Sequence, residues 1–167
     1  MKIKRDHVYA HSADTVFSMF TDVDEVEEKH AALGARDICI VNCERDADGA
    51  YVRFERELPI ELPDDIPSII TKFLQPWNSV EQIEEWLETG EGGFKSDLSI
   101  DLANMPVTIT GTLELKPHED GCVNEVRLSV DCSIPFVGKP LANFVGTDCK
   151  RLIAAEYEYI TERLQRS

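Results

Sequence analysis

Three charged side chains stand out because each falls inside an apolar pattern. Arg56 interrupts the alternating series Val52, Phe54, Leu58. If that strand face points inward, a guanidinium sits among hydrocarbon and needs a partner, because an unpaired buried charge is strongly unfavourable. Glu84 and Glu156 are the candidates for that partner. Such an arginine could anchor a ligand carboxylate or carbonyl. The plainer reading places it at the sheet rim, with its stem over apolar surface and its head in water. Glu84 shares one face of a strand with Trp86. That pair could form a pocket wall with one convergent polar group, or Trp86 could simply be core. Glu156 lies between Leu152 and Ile160 on a helical stripe. Apolar surroundings would raise its pKa and suit it to acid–base work; a small rotation of the helix would leave it at the stripe's edge. Glu156→Gln is expected to leave the fold intact.

Other chemistries find little support. His7, His11, His30 and His118 do not pair with a cysteine or a second histidine at zinc-site spacing, so no metal is expected. Gly90-Glu91-Gly92-Gly93 lies between two strands and precedes no helix, which argues against a phosphate cradle. No Gly-x-Ser-x-Gly elbow occurs, and no cysteine has an evident activating neighbour. No cofactor is expected.

Charge and composition bound the partners. The 167 residues include 32 acidic and 17 basic side chains, for a net charge of −15. This opposes nucleic acid, which needs a basic footprint, and docking on anionic lipid. A hydrophobic fraction of 43% is ordinary for one globular domain, here residues 1–167. No apolar run approaches the roughly 20 residues of a membrane span. The start lacks the apolar stretch of a signal peptide. Five cysteines, an odd number, then suggest reduced thiols in a cytoplasmic protein. Cys39 and Cys43 share one strand about 13 Å apart, too far to bridge.

The elements that must position these groups follow from periodicity. Residues 2–10 open as a strand, and Ser12 or Asp14 caps a short helix carrying Val16, Phe17, Met19 and Phe20. A second helix runs from about Asp24 to Leu33 and ends at Gly34, with Glu25-Val26-Glu27-Glu28-Lys29 as a solvated face. Strands at 36–45 and 50–58 flank the hairpin signal Asp46-Ala47-Asp48-Gly49. Prolines 59, 63, 67 and 76 break the next segment, in which Ile66, Ile69, Ile70, Phe73 and Leu74 take helical spacing behind Asp64 or Asp65 as a cap. This amphipathic helix could be a lid over a pocket mouth, through Ile66, Ile70 and Phe73, or an ordinary packed crossover. Residues 79–90 carry a capping box, Ser79 to Gln82, that favours helix; a continuous meander needs them as a strand with Val80, Gln82, Glu84 and Trp86 on one face, and strand is preferred. Strands at 94–102 and 107–115 follow, the turn His118-Glu119-Asp120-Gly121 leads into a last strand with Val126, Leu128, Val130, Cys132 and Ile134 on one face, and a helix of about 39 Å spans Pro140–Gln165. Its stripe is Leu141, Val145, Cys149, Leu152, Glu156 and Ile160.

A meander of sequential strands curls with its native twist and needs a cover for its apolar face. The last helix is the one element large enough. The expected fold is therefore α+β, a curved antiparallel sheet of six to seven strands around a long C-terminal helix, with two short helices after the first strand. A strongly curved sheet is often not filled by side chains, and the remaining space is a pocket.

The order of elements, the segment His11-Ser12-Ala13-Asp14-Thr15-Val16-Phe17 and the segment Ile134-Pro135-Phe136-Val137-Gly138 resemble the START-like superfamily. This is the helix-grip group that includes the birch-pollen-allergen fold. More narrowly, Ser79 to Trp86, Pro106 to Thr112 and Ile134 to Gly138 resemble a bacterial branch catalogued as a domain of unknown function. The resemblance implies a cavity for an apolar or amphipathic small molecule, and no catalytic set. Phe54, Arg56, Glu84, Trp86, Leu98, Ile109, Leu128, Cys149, Leu152 and Glu156 are the expected lining. Binding or transport of a small hydrophobic molecule is the first functional reading. An enzyme of cyclase, aromatase or hydrolase type on the same cavity is the second. An acidic interaction module with a closed cavity is the third, and a homo-oligomer stays open.

Overall fold

The computed structural model describes residues 1–166. Strand β1 (Lys2–Tyr9) leads into helices α1 (Ala13–Thr21) and α2 (Val23–Ala32). Ser12 caps α1 by accepting from the Thr15 N–H, and Asp22 caps α2 by accepting from the Asp24 and Glu25 N–H groups. Gly34, with φ +97, ends α2 in the left-handed conformation that glycine tolerates. Strands β2 (Arg36–Arg45), β3 (Gly49–Pro59), β4 (Trp77–Glu88), β5 (Phe94–Leu102), β6 (Val107–His118) and β7 (Gly121–Cys132) form the meander. A one-turn helix, α3 (Ser68–Thr71), interrupts the β3–β4 connection, and α4 (Gly138–Gln165) closes the chain.

All strand pairs are antiparallel, in the order β1-β7-β6-β5-β4-β3-β2. The helical pair α1–α2 thus carries the chain from one edge of the sheet to the other. Edge strand β2 is exposed and broken by two register shifts, which blunts it against pairing with another chain.

The core lies between the inner sheet face and the helices. Phe17 stacks on Phe94 at 3.9 Å, and Trp86 packs edge-on to Phe17 at 5.5 Å and beside Phe20 at 5.6 Å. Gly111 occupies an inward position on β6, paired with Leu98 and Leu128. A Cβ there would stand 2.0 Å from the Arg127 carbonyl oxygen and 2.8 Å from Leu128 Cδ2, so β6 and β7 close in only around glycine. Helix α4 lies across this face with Leu141, Val145, Ile160 and Leu164 buried.

Two expectations are corrected. The helix over 66–74 is reduced to the single turn Ser68–Thr71, and Pro67 precedes it without any side-chain cap from Asp64 or Asp65. The rest is a chain of tight turns: Ile66 donates to the Pro63 carbonyl, Ile70 to Pro67, Phe73 to Ile70 and Leu74 to Thr71. Prolines remove donors, and so short an apolar run cannot repay helix nucleation. The second correction concerns α2. Lys29 does not belong to a solvated face; it is 1% exposed. Val26, Lys29, His30 and Leu33 are spaced as one helical stripe, and that stripe turns inward.

Trp86→Ala should therefore cost about 3–5 kcal/mol of unfolding free energy, measured by urea denaturation. A loss below about 1 kcal/mol would mean the Phe17–Trp86–Phe20 cluster is not a cornerstone of the core.

Candidate functional site

Period-two alternation on β4 directs Asn78, Val80, Gln82, Glu84 and Trp86 to the inner face, and on β3 it directs Val52, Phe54, Arg56 and Leu58. In the β3–β4 register Arg56 lies opposite Val80 and Phe54 opposite Gln82. Arg56 and Gln82 are thus diagonal neighbours, within reach of long side chains. Arg56 Nη2 donates to Gln82 Oε1 at 3.0 Å, and Gln82 Nε2 donates to Glu84 Oε2 at 2.7 Å. Trp86 Nε1 donates to Glu84 Oε1 at 2.9 Å. The result is a buried relay from guanidinium through amide to carboxylate, braced by an indole.

A second charged pair faces it from the helices. Lys29 on α2 reaches Glu156 on α4 at 3.2 Å, donates to the Met19 carbonyl at 3.3 Å, and sits 4.0 Å above the Phe20 ring. His30 packs on Phe54 with ring centroids 4.7 Å apart.

Between these groups the hollow is not filled. One chamber of about 90 Å³ is bounded by Arg56, Gln82 and Glu84 on the sheet and by Cys149, Leu152 and Glu156 on α4. Leu98, Leu113, Val126 and Leu128 form its apolar floor, and Phe20, His30 and Leu33 close its helical side. A second chamber of about 60 Å³ adjoins it toward the β3–β4 connection, with Ile60, Val80, Leu102, Met105, Ile109 and Phe144 in its wall. Arg56, Leu58, Ile100, Cys149 and Leu152 border both chambers.

Burial governs the electrostatics. It pushes the Arg56 pKa down to about 10, while Glu156 and Glu84 pull it back up. It raises the Glu84 carboxyl, an effect opposed by Lys29 and by the hydrogen bonds from Trp86 and Gln82. It pushes the Cys149 thiol up to about 12, so that sulfur stays protonated and unreactive at neutral pH. It holds His30 well below the ordinary 6.5, with Arg56 and Lys29 pressing the same way. The polar atoms are unevenly served. Both Glu84 oxygens have donors, but Arg56 Nε and Nη1 have no partner, and neither has Asn124 Oδ1.

Seven of the residues expected to line the site border the first chamber: Arg56, Glu84, Leu98, Leu128, Cys149, Leu152 and Glu156. Ile109 borders the second. Phe54 and Trp86 border neither; both lie behind the wall, Phe54 against His30 and Trp86 against Phe17 and Phe20. Ile66, Ile70 and Phe73 also border neither chamber, and Ile70 is buried in the main core. Arg56 is no rim residue, being 6% exposed. Its direct partner is Gln82 rather than Glu84 or Glu156, and Glu156 is taken by Lys29. Sequence reasoning placed Gln82 on the inward face without giving it a role, and it took Lys29 for a solvated residue. Gln82 was signalled by its place beside Glu84 on the inward face of β4, and Lys29 by its spacing of three from Val26. Among the described residues, a second gathering of ligand-type groups is the exposed turn His118-Glu119-Asp120, which is remote from this hollow.

A long helix gripped by a curved seven-stranded antiparallel sheet, with a partly open hollow between them, defines the helix-grip fold of the START-like superfamily. Solved structures share it. A protein from Thermus thermophilus, TTHA0849, superposes with a TM-score of 0.65 over 99% of this chain and 98% of its own, at 13% identity. A START superfamily protein from Mycobacterium smegmatis gives 0.55 over 98% of both chains at 15% identity. Ara h 8.0201 gives 0.56 over 97% of this chain and 98% of its own at 11% identity. The chain belongs to the family described as protein of unknown function DUF2505, whose model matches residues 4–164. The uncharacterized protein Rv0481c of Mycobacterium tuberculosis is 25% identical over 99 residues, 58% of this chain. The match spans only 57% of that relative's length.

Two predictions concern the buried charges. Glu156→Gln, expected from sequence to be harmless, strips Lys29 of its carboxylate and should cost about 1–3 kcal/mol. Adding Lys29→Met to that variant should restore part of the loss, a non-additivity that a double-mutant cycle reads directly. Additive losses would show that the pair is not coupled. The second is pH dependence. The unfolded chain protonates His30 near pH 6.5, whereas the folded chain resists until well below that. The stability His30 confers is thus complete above pH 6.5 and is lost as pH falls below it. Between pH 7 and 5 the wild type should lose stability more steeply than His30→Phe, by up to about 1.4 kcal/mol per pH unit. Equal slopes would rule His30 out as the source.

Proposed function

We propose that this protein binds a small hydrophobic or amphipathic molecule in the hollow between α4 and the sheet, and holds or carries it away from water. One observation carries the reading: an open, largely apolar cavity borders a buried guanidinium with two unpartnered nitrogens. Packed cores rarely leave either feature unexplained. Convergent polar groups in an otherwise apolar concavity are the usual composition of a ligand site. The START-like fold supports the same reading at the level of fold alone.

Arg56, Glu84, Leu98, Leu128, Cys149, Leu152 and Glu156 would touch the guest, and Ile109 would meet the part that enters the second chamber. The segment from Ile60 to Pro76, which contributes Ile60 to that chamber's wall and Ile70 to the core, would serve as the cover. The catalytic alternative has less support, since both Glu84 oxygens are already held by protein donors and Glu156 is committed to Lys29. Among the described residues no helix is long and apolar enough to cross a membrane, and all five cysteines are free, which fits a reducing cytoplasm.

Native mass spectrometry of gently purified protein, followed by solvent extraction, should release a small molecule. Refilling the emptied protein from a panel of alkyl and aromatic compounds should raise its melting temperature, since a ligand at about 100 times its Kd adds about 2.7 kcal/mol. A protein that is always empty and gains nothing from any member of the panel would count decisively against this function.

A further inference from the structure

The unpartnered edge of Arg56 identifies the guest's polar end. A guanidinium Nη2 carries two N–H bonds, one parallel to the Nε–H and the other parallel to an Nη1–H. Gln82 Oε1 accepts one bond from Nη2. Whichever hydrogen it takes, the remaining Nη2–H forms a parallel fork with a neighbour that has no acceptor, because Nε and Nη1 are both unpartnered; both atoms are covered, so a guest's head group meets them by displacing part of the chamber wall. A fork of two parallel N–H groups matches the two coplanar oxygens of a carboxylate, and a single carbonyl or hydroxyl fills only half of it.

The surrounding groups narrow the choice. Glu84 and Glu156 border the same chamber. A dianion such as a phosphate monoester would face both of them with one guanidinium in support, because Lys29 is already engaged by Glu156. A singly charged head is favoured. Beyond it the walls are hydrocarbon: Leu98, Leu113, Val126 and Leu128 in one direction, Val80, Leu102 and Ile109 in the other. Chambers of about 90 and 60 Å³, at roughly 10–15 Å³ per water-sized portion of guest, hold about ten to fifteen non-hydrogen atoms.

We propose that the ligand is an apolar monocarboxylic acid of medium size, its carboxylate seated on the free fork of Arg56 and its hydrocarbon body in the two chambers. This rests on the binding function proposed above and adds the chemical class. Bound there, the carboxylate supplies the acceptors that the relay lacks, and it does so where low dielectric makes a charge-assisted bond strongest.

The test is isothermal titration calorimetry at pH 7 with octanoate and octanamide, which have the same size and shape and differ in charge and in the second oxygen. Wild-type protein should bind octanoate at least about tenfold tighter than octanamide. Arg56→Met should bring the two affinities to about the same value. Arg56→Lys, which keeps the charge and loses the fork, should retain only a small part of the preference and serves if the methionine variant does not fold. Equal binding of both compounds by the wild type would overturn the carboxylate assignment while leaving the cavity as a site for apolar guests. A preference that survives Arg56→Lys undiminished would overturn it too, because the fork would then not be the selector. Absence of binding by either compound at about 1 mM would also reject the assignment, and the refilling panel would then decide separately whether the hollow takes any guest.

Discussion

The structure is organised around the cost of holding a guanidinium inside the grip of the sheet. Arg56 is on the inner face of β3, between Phe54 and Leu58, and cannot reach water from there. A bare cation in that setting would be prohibitive. Its surroundings read as the answer. Gln82 carries the interaction across to Glu84, and Trp86 fixes the far side of that carboxylate. Lys29 and Glu156 add a complementary pair from the helices. Two basic and two acidic side chains thus converge around one hollow, although Arg56 is incompletely served.

That hollow exists because the sheet curves more than the helix can follow. Helix α4 seals its two ends well, with Leu141 and Val145 near one end and Ile160 and Leu164 near the other. Its middle turns carry Cys149, Leu152 and Glu156, which are only half-buried. A half-buried and partly polar middle on the helix leaves space where larger apolar residues would have made a solid core. Such an arrangement gives up packing energy, and cores give it up chiefly where space has a use.

Legibility in the sequence followed the range of the forces involved. The strands and the long helix could be read from periodicity, because one face of each is buried along its whole length. Strand β4 was legible only through topology: Ser79 to Gln82 locally resembles a helix start, and pairing with β3 and β5 overrides it. Residues 66–74 failed the other way. Their apolar spacing is helical, but Pro63, Pro67 and Pro76 hold the chain to tight turns, and docking of Ile70 and Leu74 supplies the stability that helix hydrogen bonds would have given. Arg56 was visible as a break in an alternating series. Lys29 was concealed by its neighbours, since Glu25, Glu27 and Glu28 made the stretch look solvated and only the spacing from Val26 marked its face. The pairing of Lys29 with Glu156 joins elements 127 residues apart, and no local pattern encodes that.

The distribution of donors and acceptors bears on the choice between the proposed binding function and a reactive site. A general acid or base needs a free lone pair or proton within reach of the substrate. Both Glu84 oxygens accept from side chains on its own strand, and Glu156 is held by an ammonium. The thiol of Cys149 is kept protonated, and the imidazole of His30 is neutral and packed on Phe54. Glu84, Glu156, Cys149 and His30 are thus each engaged or held in an unreactive form, while His7, which also borders the chamber, is half-buried and stacks on Tyr157. What the cavity leaves unmet is a demand for acceptors at Arg56 and a demand for apolar volume beyond it. Under the proposed binding function, both would be met by a guest that stays bound.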